Sequence, residues 1–253
     1  MNRKVSIAPM MDCTDRHDRY FLRLISKNTM LYTEMIVANA IIRGDKNFLL
    51  NFNNLEKPLA LQIGGSNPKE LSECAKIAEN FGYDEINLNL GCPSKKVQKN
   101  KFGACLMKEP SLVGDCVSEM KNACGLPITI KTRIGYDNIE DYEYLRKFIS
   151  IINKAGSNTF IIHARRAILN KLTPKQNLNI PPLNYNFVYD IKKDFNKATV
   201  ILNGGIDSIV KIKTHLMKVD GVMIGRAAYH SPYFLADIEK EIFNNKNILT
   251  RSE

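Results

Sequence analysis

The most chemically suggestive residue is Cys92, set in Asn89-Leu90-Gly91-Cys92-Pro93-Ser94. Gly91 and Pro93 fix the backbone around it and keep a helix from starting early. A free thiol has a pKa of ~8.5, so near neutrality it is mainly protonated and suited to delivering a proton. A nucleophile would need the thiolate, and no histidine is adjacent in sequence to serve as its base. Lys95 and Lys96 would lower its pKa, so acid and nucleophile both stay open. The bland alternative is a small buried filler such as Cys74 or Cys116.

Lys131 ends the apolar run Ile128-Thr129-Ile130, so its stem starts in a core and its ammonium either enters a cavity or snorkels to a rim. A cation in a cavity can stabilise negative charge on a bound ring. His163 follows Phe160-Ile161-Ile162 in the same way and reads as a donor to a ligand or as a satisfied core histidine. Gly204-Gly205 and Gly225-Arg226 supply open backbone N–H groups, a helix start and a guanidinium, the makings of a phosphate cradle. Paired glycines also simply make tight turns. Arg16, Arg19, Lys95, Lys96, Lys99, Lys101, Arg165, Arg166, Lys171 and Lys175 belong to the same loops, as a rim for phosphates or as solvated surface.

These residues need a frame that brings segment ends together. Strands are predicted at Val5 to Pro9, Leu31 to Glu34, Leu59 to Ile63, Glu85 to Asn89, Ile128 to Lys131, Thr159 to His163, Thr199 to Asn203 and Gly221 to Ile224. Helical stripes lie between them, as in Leu71, Cys74, Ile77, Ala78 and Phe81, and in Leu145, Phe148, Ile149 and Ile152. Thr14, Asn67 followed by Pro68, and Ser208 read as helix starts. Eight alternating units close most naturally into a (β/α)8 TIM barrel, α/β in class, with a doubly wound open sheet as the alternative. The barrel is expected over residues 1–243, followed by a polar tail at 244–253. Residues 171–186 read as a long polar loop. In a barrel the carboxyl ends of the strands form the active face, and they carry Pro9-Met10-Met11, Glu34, Gln62, Asn89 through Cys92, Lys131 with Arg133, His163 with Arg165, Asn203-Gly204-Gly205 and Gly225-Arg226.

The 253 residues, 44% of them hydrophobic, suit one domain with a sizeable core. No run approaches the ~20 apolar residues of a membrane span, and the N-terminus does not read as a secretion signal. A cytoplasmic protein, monomeric by default, is expected. Six dispersed cysteines and four scattered histidines show no disulfide or metal-ligand spacing, so no metal is expected. A net charge of +10 suits a polyanionic partner, although a lysine-rich genome would give the same balance.

The set Ala8-Pro9-Met10, Leu61-Gln62-Ile63-Gly64-Gly65, Asn87-Leu88-Asn89-Leu90-Gly91-Cys92-Pro93, Lys131-Thr132-Arg133-Ile134-Gly135, His163-Ala164-Arg165, Asn203-Gly204-Gly205 and Gly225-Arg226 resembles the tRNA-dihydrouridine synthases. Tyr32-Thr33-Glu34-Met35, Phe102 to Met107 and Ile180-Pro181-Pro182-Leu183 look like their A subfamily, which acts on the tRNA D-loop at positions 20 and 20a. The resemblance implies FMN as cofactor, NADPH as reductant and tRNA as partner. It implies hydride transfer to C6 of uracil, with Cys92 protonating C5. It assigns Pro9, Met10, Met11, Gln62, Lys131, His163, Asn203, Gly204, Gly205, Gly225 and Arg226 to FMN, and Asn89, Arg165 and Lys175 to the uridine or the tRNA. The family's C-terminal helical domain is expected to be missing, because the sequence stops soon after Ile238 to Phe243. Two other readings stay open: a small-molecule FMN reductase, and a non-catalytic tRNA-binding relic.

Overall fold

A computed structural model describes residues 2–248 and 250–252. The strands are β1 (Val5–Ile7), β2 (Leu31–Tyr32), β3 (Ile36–Val37), β4 (Leu59–Gly64), β5 (Glu85–Asn89), β6 (Ile128–Arg133), β7 (Thr159–His163), β8 (Thr199–Asn203) and β9 (Gly221–Ile224). All pair in parallel, in the order β1-β9-β8-β7-β6-β5-β4-β2. The ring closes where Ile7 N–H donates to the Met30 carbonyl at 2.9 Å and Met30 N–H to Val5 at 3.1 Å. The result is an eight-stave (β/α)8 barrel, as the alternation predicts.

The helices are α1 (Arg16–Ile25), α2 (Ala38–Arg43), α3 (Lys46–Leu50), α4 (Pro68–Asn80), α5 (Lys95–Lys99), α6 (Pro110–Ala123), α7 (Tyr142–Lys154), α8 (Tyr185–Asp194), α9 (Ile209–Leu216), α10 (Arg226–His230) and α11 (Phe234–Glu241). Leu71, Cys74 and Ala78 of α4, with Leu145, Phe148, Ile149 and Ile152 of α7, are buried against the outer face of the sheet. A second, smaller core lies inside the ring, built from Ala8, Met30, Tyr32, Ala60, Ile161, Ile201 and Met223. Strand alternation separates the two cores, since neighbouring residues point to opposite faces.

Asn67 caps α4 with Pro68 in its first turn, and Ser208 caps α9 by accepting from Lys211 N–H, as their sequence positions suggest. The start of α1 differs. Asp15, not Thr14, is the cap, accepting from His17 and Asp18, while the Thr14 hydroxyl exchanges hydrogen bonds with Met10. The predicted first strand stops at Ile7, short of Pro9, which has no N–H to give. The second stave is split into β2 and β3, both on β4. Between them Gln62 N–H donates to the Thr33 hydroxyl at 3.0 Å, a side chain standing in for a strand carbonyl.

The 171–186 loop contains a short 3-10 turn, Gln176–Leu178, and ends as α8 begins at Tyr185. Asn177, fully buried, staples it: its Oδ1 accepts from Ile168 N–H at 2.7 Å and its Nδ2 donates to the Ile168 carbonyl at 2.9 Å. None of the helices among the described residues is long and apolar enough to cross a membrane. No His/Cys/Asp/Glu group there is arranged to hold a metal ion, and the six cysteines are free.

Candidate active site

The carboxyl ends of β4, β5 and β6 carry the cysteine loop. Asn89, the last residue of β5, accepts on Oδ1 from both Gly91 N–H (3.1 Å) and Cys92 N–H (3.0 Å). From the other side, Ala104 N–H donates to the Cys92 carbonyl at 2.9 Å. That approach needs Gly103, at φ +75°, because a Cβ there would lie 2.7 Å from the Cys92 oxygen. Arg133, buried at the end of β6, ties the loops after β5 and β7 by donating to the carbonyls of Gly91 (2.8 Å), Arg166 (3.2 Å) and Asn177 (3.3 Å).

Cys92 is half-buried, and burial pushes its thiol pKa up; a backbone hydrogen bond from Ser94 and the charges of Arg133 and Lys131 oppose the rise without cancelling it. The cations that face the sulfur are therefore Arg133 and Lys131, whereas Lys95 and Lys96, expected to act on it, are exposed on α5. The balance keeps the proton on sulfur at neutral pH. Of the two chemistries open to this cysteine, the geometry favours the acid.

Beside it, the Lys131 ammonium is sunk toward the barrel interior and donates to Asn203 Oδ1 at 3.2 Å. Burial first, then repulsion from Arg133, lowers its pKa to about 7. Asn203 is itself oriented by donating to the Met223 carbonyl at 2.8 Å. His163 is 7% exposed, and its Nδ1 has no hydrogen-bond partner. Burial and the charges of Arg133, Lys131, Arg165 and Arg226 hold its pKa well below the usual histidine value, so the ring is neutral. No carboxylate is among the groups that shift Lys131, Arg133, His163 or Arg165. Four cations around an imidazole whose Nδ1 has no hydrogen-bond partner among the described residues suit an anionic ligand.

Gly204 and Gly205 lie on the same side with φ of +115° and +72°, and a Cβ on Gly204 would meet Leu183 at 2.9 Å and His163 Nε2 at 3.3 Å. Their carbonyls are held outward. Tyr185 OH donates to Gly204 at 3.0 Å, and Lys211 Nζ donates to Gly205 at 3.1 Å. Gly225 packs beside Met10, whose sulfur would lie 3.6 Å from a Cβ there. This combination of bare backbone, guanidinium and neutral imidazole fits the phosphate of a nucleotide-like group, and Lys131 fits the electron-rich edge of its ring.

A family model described as Dihydrouridine synthase (Dus) matches residues 6–252. The chain belongs to the dihydrouridine synthase family. Among its relatives, a protein named tRNA-dihydrouridine(20/20a) synthase from Vibrio parahaemolyticus is 54% identical over 99% of this chain and 77% of its own length. Proteins of the same name from Synechocystis (53% identical, 97% of this chain, 73% of the relative) and Escherichia coli K12 (52%, 96% and 71%) match similarly.

The expected residues of this dihydrouridine synthase family member thus fall into three groups. Gln62, Asn89, Cys92, Lys131, His163, Asn203 and Gly204 form one contiguous cluster. Met10 and Gly225 adjoin each other; Pro9 is half-buried nearby in the chain, and Arg165 and Arg226 reach the cluster through their charge on His163. Met11, Gly205 and Lys175 are exposed. Arg133 stood with Lys131 among the strand-end residues of the active face but had no role of its own there, and Asn177, Asn87 and Tyr185 had none. The other three act through backbone or through other side chains and leave no signal in the primary structure.

Proposed function

We propose that this chain is a flavin-dependent tRNA-dihydrouridine synthase that reduces the C5–C6 double bond of uridine in the tRNA D-loop, at positions 20 and 20a, to 5,6-dihydrouridine. One observation carries the reading: the Cys92 thiol, its pKa pushed up by burial, stands beside a pocket where four cations surround His163, whose Nδ1 has no partner among the described residues. The names of the relatives support tRNA as substrate and the 20/20a uridines as targets. When bound, FMN reduced by NADPH would supply the hydride that goes to C6 of the uracil ring.

In this reading Cys92 delivers the proton to C5 as a general acid. Lys131 would lie toward the ring of the cofactor, where a cation stabilises negative charge, with Gln62, Pro9, Met10 and Met11 also holding the ring. His163, Asn203, Gly204, Gly205, Gly225 and Arg226 would hold its phosphate. Asn89, Arg165 and Lys175 face the uridine and its backbone, the base having left its stack to enter the barrel mouth. Residues 1–243 form the catalytic unit, and it works in the cytoplasm.

The deciding experiment is a visible spectrum of the purified protein, followed anaerobically by NADPH and then by unmodified tRNA. The expected result is a flavin band that bleaches with NADPH and returns with tRNA. Bleaching without return indicates a small-molecule acceptor; a colourless protein that binds tRNA indicates a non-catalytic scaffold.

A further inference from the structure

The inner face of β4, β5 and β6 carries a buried hydrogen-bond ladder that runs from the closed end of the barrel to the cysteine loop. Glu85, Asn87 and Asn89 alternate along β5 and so share the inner face; Asn87 is in register with Gln62 of β4 and Thr129 of β6. At the bottom, the Glu85 carboxylate pairs with Arg3 and accepts from Tyr32 OH at 2.9 Å and from the Thr129 hydroxyl at 2.5 Å. Thr129 Oγ1 accepts from Asn87 Nδ2 at 2.9 Å, Asn87 Oδ1 from Gln62 Nε2 at 2.8 Å, and Gln62 Oε1 from Asn89 Nδ2 at 2.9 Å. Asn89 Oδ1 is then left to the Gly91 and Cys92 N–H groups. Glu85, Asn87 and Thr129 have no exposed surface, Gln62 has 1% and Asn89 8%.

An amide's oxygen and nitrogen fill the same space, so only its partners decide which way it faces. The Thr129 hydroxyl has two acceptors in reach, the Glu85 carboxylate at 2.5 Å and the Ile86 carbonyl at 3.3 Å; its proton goes to the nearer, charged one, which leaves its oxygen to accept from Asn87. That choice turns Asn87, which turns Gln62, which turns Asn89 so that its oxygen faces the loop. The top makes the same demand independently, because two backbone N–H groups there need an acceptor. We infer that Glu85, at the far end of the barrel, sets the polarity of this ladder and that Thr129 and Asn87 are positioning residues which hold the Cys92 loop through Asn89. The inference deepens the functional reading and rests on Cys92 as the reacting group.

The test uses the purified full chain and two measurements that need neither tRNA nor turnover: hydrogen exchange of the Gly91 and Cys92 amides, and the rate of Cys92 alkylation by iodoacetamide, followed on its own peptide. Thr129→Val replaces the hydroxyl with a methyl group and breaks the ladder at mid-height. It is expected to speed exchange of the two amides by roughly tenfold, the scale of one lost hydrogen bond, and to change the alkylation rate by about threefold or more. Thr129→Ser, which keeps the hydroxyl, should restore both. Ile152→Val, a core change on α7 outside the ladder, should leave both at the wild-type rate. Wild-type exchange and alkylation in a folded Thr129→Val protein would overturn the inference. Should that variant not fold, Asn87→Leu asks the same question, since it removes the amide that links Thr129 to Gln62; wild-type exchange there overturns it equally. A chain that shows these effects yet does not reduce tRNA uridine keeps the ladder and loses the functional reading, and the reverse pattern does the opposite.

Discussion

The β4–β6 side of the barrel and the β7–β9 side both bury polar side chains, and they treat them in opposite ways. On the first, Glu85, Thr129, Asn87, Gln62 and Asn89 bond one another in sequence and end on the backbone of the cysteine loop. On the second, His163 keeps a buried nitrogen without a partner among the described residues, and Arg133, Lys131, Arg165 and Arg226 surround it and lower its pKa. A satisfied buried network stiffens what it touches, whereas an unsatisfied one costs free energy until a ligand supplies the missing partners. In the proposed function the first side accordingly holds the reacting group still, and the second receives an anion.

The sharpest way to separate the two sides is to remove their chemistry one group at a time. Cys92→Ala on the satisfied side should slow uridine reduction by roughly 10²-fold or more while leaving flavin retention at the wild-type level, read by single-turnover kinetics and by the bound flavin absorbance. Arg226→Ala on the unsatisfied side should do the reverse, weakening flavin retention by about tenfold through a lost phosphate contact, as measured by fluorescence titration. Unchanged affinity would move the phosphate away from β9 and break the comparison.

A stability measurement probes the same contrast without a ligand. Lys131, with a pKa lowered to about 7 by burial, binds fewer protons in the folded chain than in the unfolded one between about pH 7 and its ordinary value of 10.5. Its burial penalty is therefore fully felt below about pH 7 and fades as pH rises toward 10.5. Lys131→Met should raise the melting temperature of the flavin-free protein by roughly a few degrees at pH 7, with the gain shrinking at pH 10. A loss of stability at pH 7 would mean that this cation is already compensated. The smallest effect is expected for Tyr185→Phe, which frees the Gly204 carbonyl and should loosen flavin by about threefold, within the range of one neutral hydrogen bond.

Much of the frame was legible from residue order. The strands at 85–89, 159–163, 199–203 and 221–224 match their predicted bounds, because short β-branched runs ended by polar residues leave little freedom in where pairing stops. The split second stave was not legible, since it depends on the Thr33 hydroxyl meeting Gln62 across the sheet. Likewise Asp15 displaced Thr14 as a cap because Met10 lay within reach of the threonine hydroxyl, a fact of loop shape.

For the candidate site, the sequence by itself determined which chemical groups stand at the strand ends: a thiol between Gly91 and Pro93, a lysine and a histidine closing apolar strands, and glycines before α9 and α10. Only the tertiary structure decided their states. Whether the Cys92 thiol is pushed toward the acid or the thiolate turned on burial set against Arg133 and Lys131 from a neighbouring strand, not on the lysines next to it in the chain. In the proposed ladder the direction in which Asn89 faces is set from both ends, by the Gly91 and Cys92 N–H groups and, through Thr129, Asn87 and Gln62, by Glu85 on the barrel floor. Charge and hydrogen-bond polarity act through space, and closing eight staves into a ring makes neighbours of groups that residue order keeps far apart.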